Sequence, residues 1–255
     1  LQEYLPLLLA FSANSPMWNG RPTGEHAHRI ELLEVLPTGG LPPRMNSWGE
    51  YLALVENLQS AGFIETPKEI WWDVRPSPGF GTVEVRVCDM PRDLPAALGL
   101  VSLIQCLVKD LSDRIDAGEP ARECHPFLVR QNRWRACRFG PEATLVDPVT
   151  FEAVPAREAA ERLVDRLSPV AERLGCAQDM ARVRDLIRRP TGSELQIDLY
   201  GQTQDLPGMV RRLTGLSRLK PAEAPSEPRR TRRRTGTKGR RGAGLNGSSY
   251  VQFPM

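Results

Sequence analysis

The sequence predicts an α+β fold in which antiparallel strands are covered by helices. Apolar residues recur at helical spacing through most of the chain, and two short segments instead alternate apolar with polar or charged residues, as half-buried strands do. The chain has 255 residues, of which 40% are hydrophobic and 25% are charged. This is an ordinary globular composition, which excludes collagen-like, coiled-coil and wholly disordered chains.

The helices are predicted from apolar periodicity and from the residues that end it. Gly62 ends one predicted helix, and Gly175 separates two amphipathic helices. The segment 94–108 is apolar at nearly every position, which predicts burial on most sides. Residues 14–43 are largely a polar, Pro/Gly-rich stretch, and residues 113–122 are a polar break. The predicted helices cover residues 1–13, 30–36, 48–61, 94–108, 127–139, two within 155–189, 193–200 and 206–213.

Two strands are predicted over residues 69–75 and 82–88, separated by six residues dense in turn formers. Successive strand side chains point to opposite faces, so the three valines of the second strand share one face. If those valines are buried, four charged residues cluster on the open face: Asp73, Arg75, Glu84 and Arg86. Such a cluster suits a metal-binding carboxylate beside a phosphate-binding guanidinium. It equally suits a solvated face on which these charges pair with each other.

A second candidate lies near the end of the helix predicted over residues 127–139. Asn132, Arg135 and Arg138 are spread along one side of it at helical spacing. Arginines there could bind phosphate or carboxylate groups, or they could satisfy the terminal carbonyls of the helix. Asp89, which follows the second strand, is interpreted as a cap of the next helix.

Histidines and cysteines carry little functional signal in this sequence. The histidines at positions 26, 28 and 125 lie in predicted loops and are assigned to the surface. The five cysteines are scattered without a C-x-x-C pair, which favours reduced thiols in the core of a cytoplasmic protein. The apolar stretch from Leu5 to Phe11 is too short to span a bilayer and lacks the features of a signal peptide.

The net charge of +3 combines an acidic body with a basic tail. Residues 218–255 contain ten Lys/Arg and two Glu, a net of 10 − 2 = +8, so the first 217 residues carry 24 − 29 = −5. The tail has no apolar periodicity, which predicts a disordered segment over residues 217–255. Its arginine run lacks interleaved aromatics for base stacking, which favours a solvated extension over nucleic-acid binding.

Four motifs resemble those of the type 2 glutamate–cysteine ligase family. The longest is WWDVRPSPGFGTVEVRVCD, which runs from Trp71 to Asp89. The others, in order and with similar spacing, are LAFSANSP at 9–16, LPP at 41–43 and NRWRACRFG at 132–140. The resemblance extends from residue 1 to about residue 216, which is taken as the C-terminal portion of the family's catalytic domain.

The resemblance implies an ATP- and Mg²⁺-dependent carboxylate–amine ligase with a glutamine-synthetase-like fold. In such enzymes ATP phosphorylates a carboxylate, and an amine then displaces the phosphate to form an amide. The substrates implied are a glutamate-like carboxylate and a cysteine-like amine; homo-oligomer formation is left open. By this resemblance Glu84 is a Mg²⁺ ligand, and Arg86 and Arg75 are catalytic residues. Arg86 contacts the phosphate or activated carboxylate, and Arg75, with Asp73, helps to orient substrate or metal. Substrate or nucleotide binding is assigned to Asp73, Asn132, Arg133 and Arg138.

The sequence also departs from the family pattern. Family members begin with a Gly-x-Glu-x-Glu strand and carry a His-x-His segment before the helix that opens this chain, and neither is found here. Those segments supply further metal-binding groups, and one carboxylate does not complete a magnesium site. The expectation is therefore a C-terminal part of the catalytic domain with weak activity. The alternative is a catalytically impaired fragment that binds at most a nucleotide or a partner.

Overall fold

The computed structural model describes residues 1–120 and 122–217. The tail predicted for residues 217–255 lies almost entirely outside the described residues. The helices in the described part are α1 (Leu5–Ser12), α2 (His28–Glu34), α3 (Trp48–Ser60), α4 (Leu94–Asp116), α5 (Pro126–Phe139), α6 (Ala156–Arg173), α7 (Ala177–Arg188), α8 (Gly192–Thr203) and α9 (Leu206–Ser217). The strands are β1 (Met17–Trp18), β2 (Arg21–Pro22), β3 (Gly39–Gly40), β4 (Trp71–Trp72), β5 (Val74–Ser77), β6 (Thr82–Val85), β7 (Thr144–Val146) and β8 (Ala153–Pro155).

The α+β prediction is confirmed for the described residues. The strands form four two-stranded pairs, of which β1–β2, β5–β6 and β7–β8 are antiparallel. The pair β3–β4 is parallel, which the sequence reading did not predict. All the predicted helices are present, with ends shifted by a few residues in most of them.

Helix α1 lies at the centre of the main core. Leu5, Leu8 and Leu9 have no exposed surface, and Ala10 and Phe11 are also buried. The helix packs against α5 and also contacts α6. Because neighbours surround it on most sides, its sequence is apolar except at Ser12 and it has no polar face.

Helix α4 differs from its prediction in two ways. It continues to Asp116, so the polar break expected from residue 113 begins four residues later. The polar residues that suggested the break lie on the solvent side of the helix, where Asp113 pairs with Arg173. The helix is also less buried than predicted, because Val101 and Ile115 are 61% and 73% exposed on its outer side.

The inner side of α4 packs against α6 and α7. Leu100, Leu103 and Leu107 belong to the main core there. Within the described residues α4 is the one helix whose length and composition would allow it to cross a membrane, and 39% of its most apolar stretch is buried in the protein. A core helix of a folded domain has the same composition, so this feature is weak evidence for a membrane.

A smaller core lies beside the main one. Tyr51 and Val55 of α3 pack there with Ile64, Ile70 and Trp72. Helix α3 begins at Ser47, whose side chain accepts a hydrogen bond from the backbone N–H of Glu50. This packing places α3 over β4, directly before the β5–β6 hairpin that holds the candidate site.

Candidate functional site

The β5–β6 hairpin brings three of the predicted site residues together. Arg75 lies directly opposite Glu84 in the antiparallel register, and Arg86 directly follows the end of β6, two residues after Glu84. Arg75 donates from Nε to Glu84 Oε2 over 2.8 Å, and Arg86 donates from Nη1 to Glu84 Oε1 over 2.6 Å. The strand alternation of the sequence therefore predicted this arginine–glutamate cluster of Arg75, Glu84 and Arg86 correctly.

The two arginines of the cluster have different surroundings. Arg75 is 12% exposed, and its Nη1 donates to the carbonyls of Lys68 and Ile70, each over 2.7 Å. Arg86 is 25% exposed and lies over the ring of Trp71, 5.4 Å from its centroid. Its Nε is buried and has no hydrogen-bond partner among the described residues. Arg86 thus keeps an unused donor, whereas Arg75 is held by backbone carbonyls.

Glu84 has a pKa below the ordinary glutamate value. Partial burial on its own would raise this pKa, but hydrogen bonds and charge from Arg75 and Arg86 outweigh burial and lower it. The carboxylate is therefore ionised at neutral pH, and each of its oxygens accepts from a guanidinium.

This pKa shift predicts an acid-dependent contribution to stability. A lowered folded-state pKa stabilises the protein above the unfolded-state pKa, and the contribution is lost as pH falls through the folded-state value. We expect the difference in unfolding free energy between wild type and Glu84→Gln to be largest and constant above roughly pH 5 and to shrink below about pH 4. Urea denaturation across this range measures it. A difference that does not vary with pH would show that the ion pairs contribute nothing.

Asp73 does not join the cluster, which corrects the prediction that it lies on the open face. It is 2% exposed and falls in the break between β4 and β5. The backbone carbonyl of Asp73 accepts from the N–H groups of both Arg86 and Val87, over 2.7 and 3.0 Å. Two residues of one strand facing one residue of the other make a β-bulge, which interrupts the alternation on which the prediction relied.

The carboxylate of Asp73 pairs instead with Arg133 of α5. Arg133 donates from Nε to Asp73 Oδ2 over 2.5 Å and from Nη2 to Oδ1 over 3.3 Å. Its Nη1 also lies 2.7 Å from a carboxylate oxygen of Glu34. Asp73 and Arg133, both predicted to bind substrate or nucleotide, are thus buried partners of each other that fix the hairpin to α5.

Asn132 and Arg138 also make contacts within the protein. Asn132 is buried, accepts from the N–H of Val146 over 2.8 Å and donates to the carbonyl of the same residue over 2.6 Å. Arg138 is half-buried and donates to the carbonyl of Gly24 over 2.5 Å. The arginines near the end of α5 do not satisfy the carbonyls of their own helix, since Arg135 donates to Thr144.

Asp89 joins several segments, a role that the sequence reading missed. Its carboxylate accepts from the N–H of Asn14, the hydroxyl of Ser15 and Nε of Arg29, over 2.8, 2.7 and 2.6 Å. Arg29 also donates to the carbonyls of residues 86, 87 and 88. The interpretation of Asp89 as a helix cap is wrong, because Asp93 caps α4 by accepting from Ala96.

The motifs that were separate in the sequence therefore meet at the hairpin. The 9–16 motif reaches Asp89 through Ser12, Asn14 and Ser15. The 132–140 motif reaches Asp73 through Arg133. The 41–43 motif supplies Pro42 and Pro43 to a cavity of about 200 Å³ beside the hairpin. A larger cavity of about 540 Å³, which shares Gln2 and Met45 with the first, extends along the outer side of α4.

Comparison with known proteins identifies the family that these motifs indicate. The model of glutamate–cysteine ligase family 2 matches residues 1–214. The chain belongs to this family. Relatives named "Putative glutamate--cysteine ligase 2" occur in Gloeobacter violaceus, at 40% identity over 82% of this chain and 56% of the relative, and in Clavibacter sepedonicus, at 38% identity over 77% and 51%. A relative of the same name in Mycobacterium tuberculosis is 40% identical over 79% of this chain and 54% of its own length.

The chain thus spans about half the length of these glutamate–cysteine ligase 2 relatives. The four motifs that suggested the family all fall within the matched region. The family therefore rests on the whole body of the chain and not on one short pattern.

The described residues do not fit a self-contained magnesium site. They contain no group of three or more His, Cys, Asp or Glu side chains able to hold a metal ion. Glu84, the predicted ligand, has both oxygens engaged by arginines. Mg²⁺ normally takes six oxygen ligands, several of them waters, in octahedral geometry, so a single paired carboxylate does not bind it without further groups.

Proposed function

We propose that this chain carries part of the catalytic domain of an ATP- and Mg²⁺-dependent ligase with a glutamine-synthetase-like fold. Its reaction joins a glutamate-like carboxylate to the amine of a cysteine-like substrate through an acyl phosphate, with weak activity on that pair. The observation that supports it is the convergence of three family motifs on the hairpin that carries Arg75, Glu84 and Arg86. Because its five cysteines are free thiols, we place the protein in the cytoplasm.

Arg86 is the residue that we assign to binding an anionic group. The Arg86 side chain is 25% exposed, so its guanidinium can donate to a phosphate or carboxylate oxygen that approaches from solvent. Its Nε is a buried donor without a partner among the described residues, so the guanidinium is not fully used within that part of the protein. Arg75 holds Glu84 from the other side and is itself held by backbone carbonyls, so it fixes the position of the carboxylate. No step is assigned to Mg²⁺ here, because the described residues do not complete its site.

The buried residues near the cluster position other residues and do not contact a substrate themselves. The backbone carbonyl of Asp73 accepts from the N–H of Arg86 in the bulge, and the side chain of Asp73 pairs with Arg133. Asp73 and Arg133 therefore hold the bulge that sets the position of Arg86. Asn132 fixes β7 against α5. We therefore treat Asp73, Arg133 and Asn132 as positioning residues. We assign Arg138 to the substrate or nucleotide side on the family resemblance alone.

A second candidate function is a nucleotide-binding module without catalytic turnover. The absence of a metal-binding group within residues 1–120 and 122–217 favours it. The chain incubated with ATP, Mg²⁺, glutamate and cysteine distinguishes the two functions. ADP release that depends on both amino acids supports the ligase, whereas heat of Mg·ATP binding in calorimetry without ADP release supports the module.

Replacing Arg86 with alanine is expected to weaken whichever of these activities the chain shows by roughly tenfold or more, because a charge-assisted hydrogen bond to the anion is lost. Arg86→Lys keeps the charge but not the planar guanidinium, so we expect an intermediate loss. Arg162→Ala is the matched control, since Arg162 is exposed and pairs with Glu158 one helical turn away. An Arg86→Ala variant as active as the control would contradict the assignment of Arg86 to anion binding.

A further inference from the structure

Two cysteines from distant parts of the sequence meet between α4 and α7. Cys106 lies on the inner side of α4 with no exposed surface, and Cys176 directly precedes α7 and is half-buried. Their sulfur atoms are 3.6 Å apart, although 70 residues separate them in the chain. Neither the proposed ligase reaction nor the family motifs use this pair.

The surrounding packing holds the two thiols in place. Helices α4 and α7 approach closely at Gly99, where an added Cβ would lie 3.3 Å from the backbone nitrogen of Val183. The backbone of Cys176 is fixed at both ends, because its N–H donates to Ala171 and its carbonyl accepts from Met180. The thiols therefore face each other across a rigid helix–helix contact and not across a loose loop.

The other three cysteines have different neighbours. The Cys137 thiol donates to the carbonyl of Ala27, and the Cys124 thiol to the carboxylate of Glu3. Cys88 lies close to the hydroxyl of Ser12. Among the described residues, no second pair of cysteine sulfurs is in hydrogen-bond contact, so one defined partner exists for an oxidised thiol.

We propose that Cys106 and Cys176 are a reversible redox pair that forms a disulfide bond on reaction with a low-molecular-weight disulfide. The thiolate of Cys176 attacks one sulfur of the reagent, forms a mixed disulfide and releases one reagent thiol. The thiolate of Cys106 then attacks Sγ of Cys176 and releases the second reagent thiol. The two protein thiols lose two electrons and two protons, and the reagent disulfide is reduced to two thiols.

Exposure sets the order of the two steps. Cys176 is the more accessible thiol and meets the reagent first. Burial, together with the hydrogen bond and the charge interaction that Cys106 makes with Cys176, raises the pKa of Cys106 to about 12. Cys106 is therefore a slow nucleophile towards reagents in solution, and its proximity to Cys176 is what makes the second step effective.

The bond would tie α4 to the connection between α6 and α7. A cross-link over 70 residues removes many conformations from the unfolded chain, so the oxidised protein is more stable than the reduced one. The switch would thus change the resistance of the helical body to unfolding, and reducing agents would reverse the change.

Glutathione disulfide is the probe that tests this pair. After incubation and alkylation of the remaining thiols, tryptic peptides are separated without reductant. Trypsin releases Cys106 in peptide 93–109 and Cys176 in peptide 174–182, and each contains one cysteine. We expect these two peptides joined by a disulfide, and a melting temperature raised by about 5–10 °C that reverts with reductant.

Three variants test which cysteine reacts in each of the two steps. Cys106→Ala is expected to accumulate glutathione on Cys176 without a cross-link, and Cys176→Ala is expected to leave Cys106 unmodified. Cys124→Ala leaves the pair intact and should cross-link like wild type. Wild-type protein that yields only the glutathione adduct of Cys176, or no modification, would overturn the proposal. A cross-link without a rise in melting temperature would also overturn it, because the bond would then have formed outside the native structure.

Discussion

Replacing Arg133 with alanine is expected to lower the free energy of unfolding by roughly 3–5 kcal/mol. Asp73, its partner, is 2% exposed, so the variant leaves a buried carboxylate without a countercharge. Arg133 is 4% exposed and also pairs with Glu34. Urea denaturation monitored by circular dichroism at neutral pH measures the loss. A change no larger than that of Arg162→Ala, an exposed arginine, would contradict the structural role of this pair.

A double variant separates the ion pair from the packing of Arg133. Replacement of both members of a buried pair by side chains of similar volume is often close to neutral, because no charge is left unpaired. We therefore expect Asp73→Asn with Arg133→Met to be more stable than Arg133→Ala alone. If the site is organised as described, the double variant still loses affinity for Mg·ATP, since the bulge that positions Arg86 is no longer held.

Apolar periodicity predicted the helices well because most of them bury one face. The two helices around Gly175 appear as α6 and α7, interrupted at residues 174–176. The predicted end of α4 was wrong because the charged residues from position 113 onward were interpreted as the end of the helix. Asp113 continues the polar face of the helix, and its pairing with Arg173 of α6 is a tertiary contact that periodicity does not reveal.

Several short strands escaped prediction, and one of them had a signal. Asn19 and Gly20 both have positive φ between β1 and β2, as a two-residue hairpin turn requires, and Asn-Gly is the sequence typical of it. The strands β7 and β8 have only three residues each, too few for alternation to be visible. The parallel pair β3–β4 joins segments about thirty residues apart and has no local signature.

The candidate site could be predicted where it depends on local alternation. Glu84 and Arg86 share a face because Arg86 directly follows β6 and lies two residues beyond Glu84, and the strand register adds Arg75. Asp73 could not be placed in this way, because a bulge depends on hydrogen bonds between strands and leaves no mark in this sequence. Its partner Arg133 lies 60 residues away, so only the folded chain reveals the pair.

Replacing Asp89 with alanine is expected to cost about 3–5 kcal/mol of unfolding free energy, several times the cost of losing a helix cap. The 4% exposed carboxylate accepts from Asn14, Ser15 and Arg29, so its removal leaves three donors unpaired, one of them charged. Asp89→Asn keeps one acceptor oxygen and should lose about half as much. Denaturation curves for both variants give these values.

Asp93→Ala is the matched control, because Asp93 lies four residues later, caps α4 by accepting from the N–H of Ala96 and otherwise pairs with the adjacent Arg92. Loss of such a cap costs about 1 kcal/mol. Hydrogen exchange adds a local readout, since the amide of Asn14 donates to Asp89 and should exchange much faster in Asp89→Ala but not in Asp93→Ala. Equal losses in the two alanine variants, with the Asn14 amide still protected, would mean that Asp89 does not join the 9–16 motif to the strand.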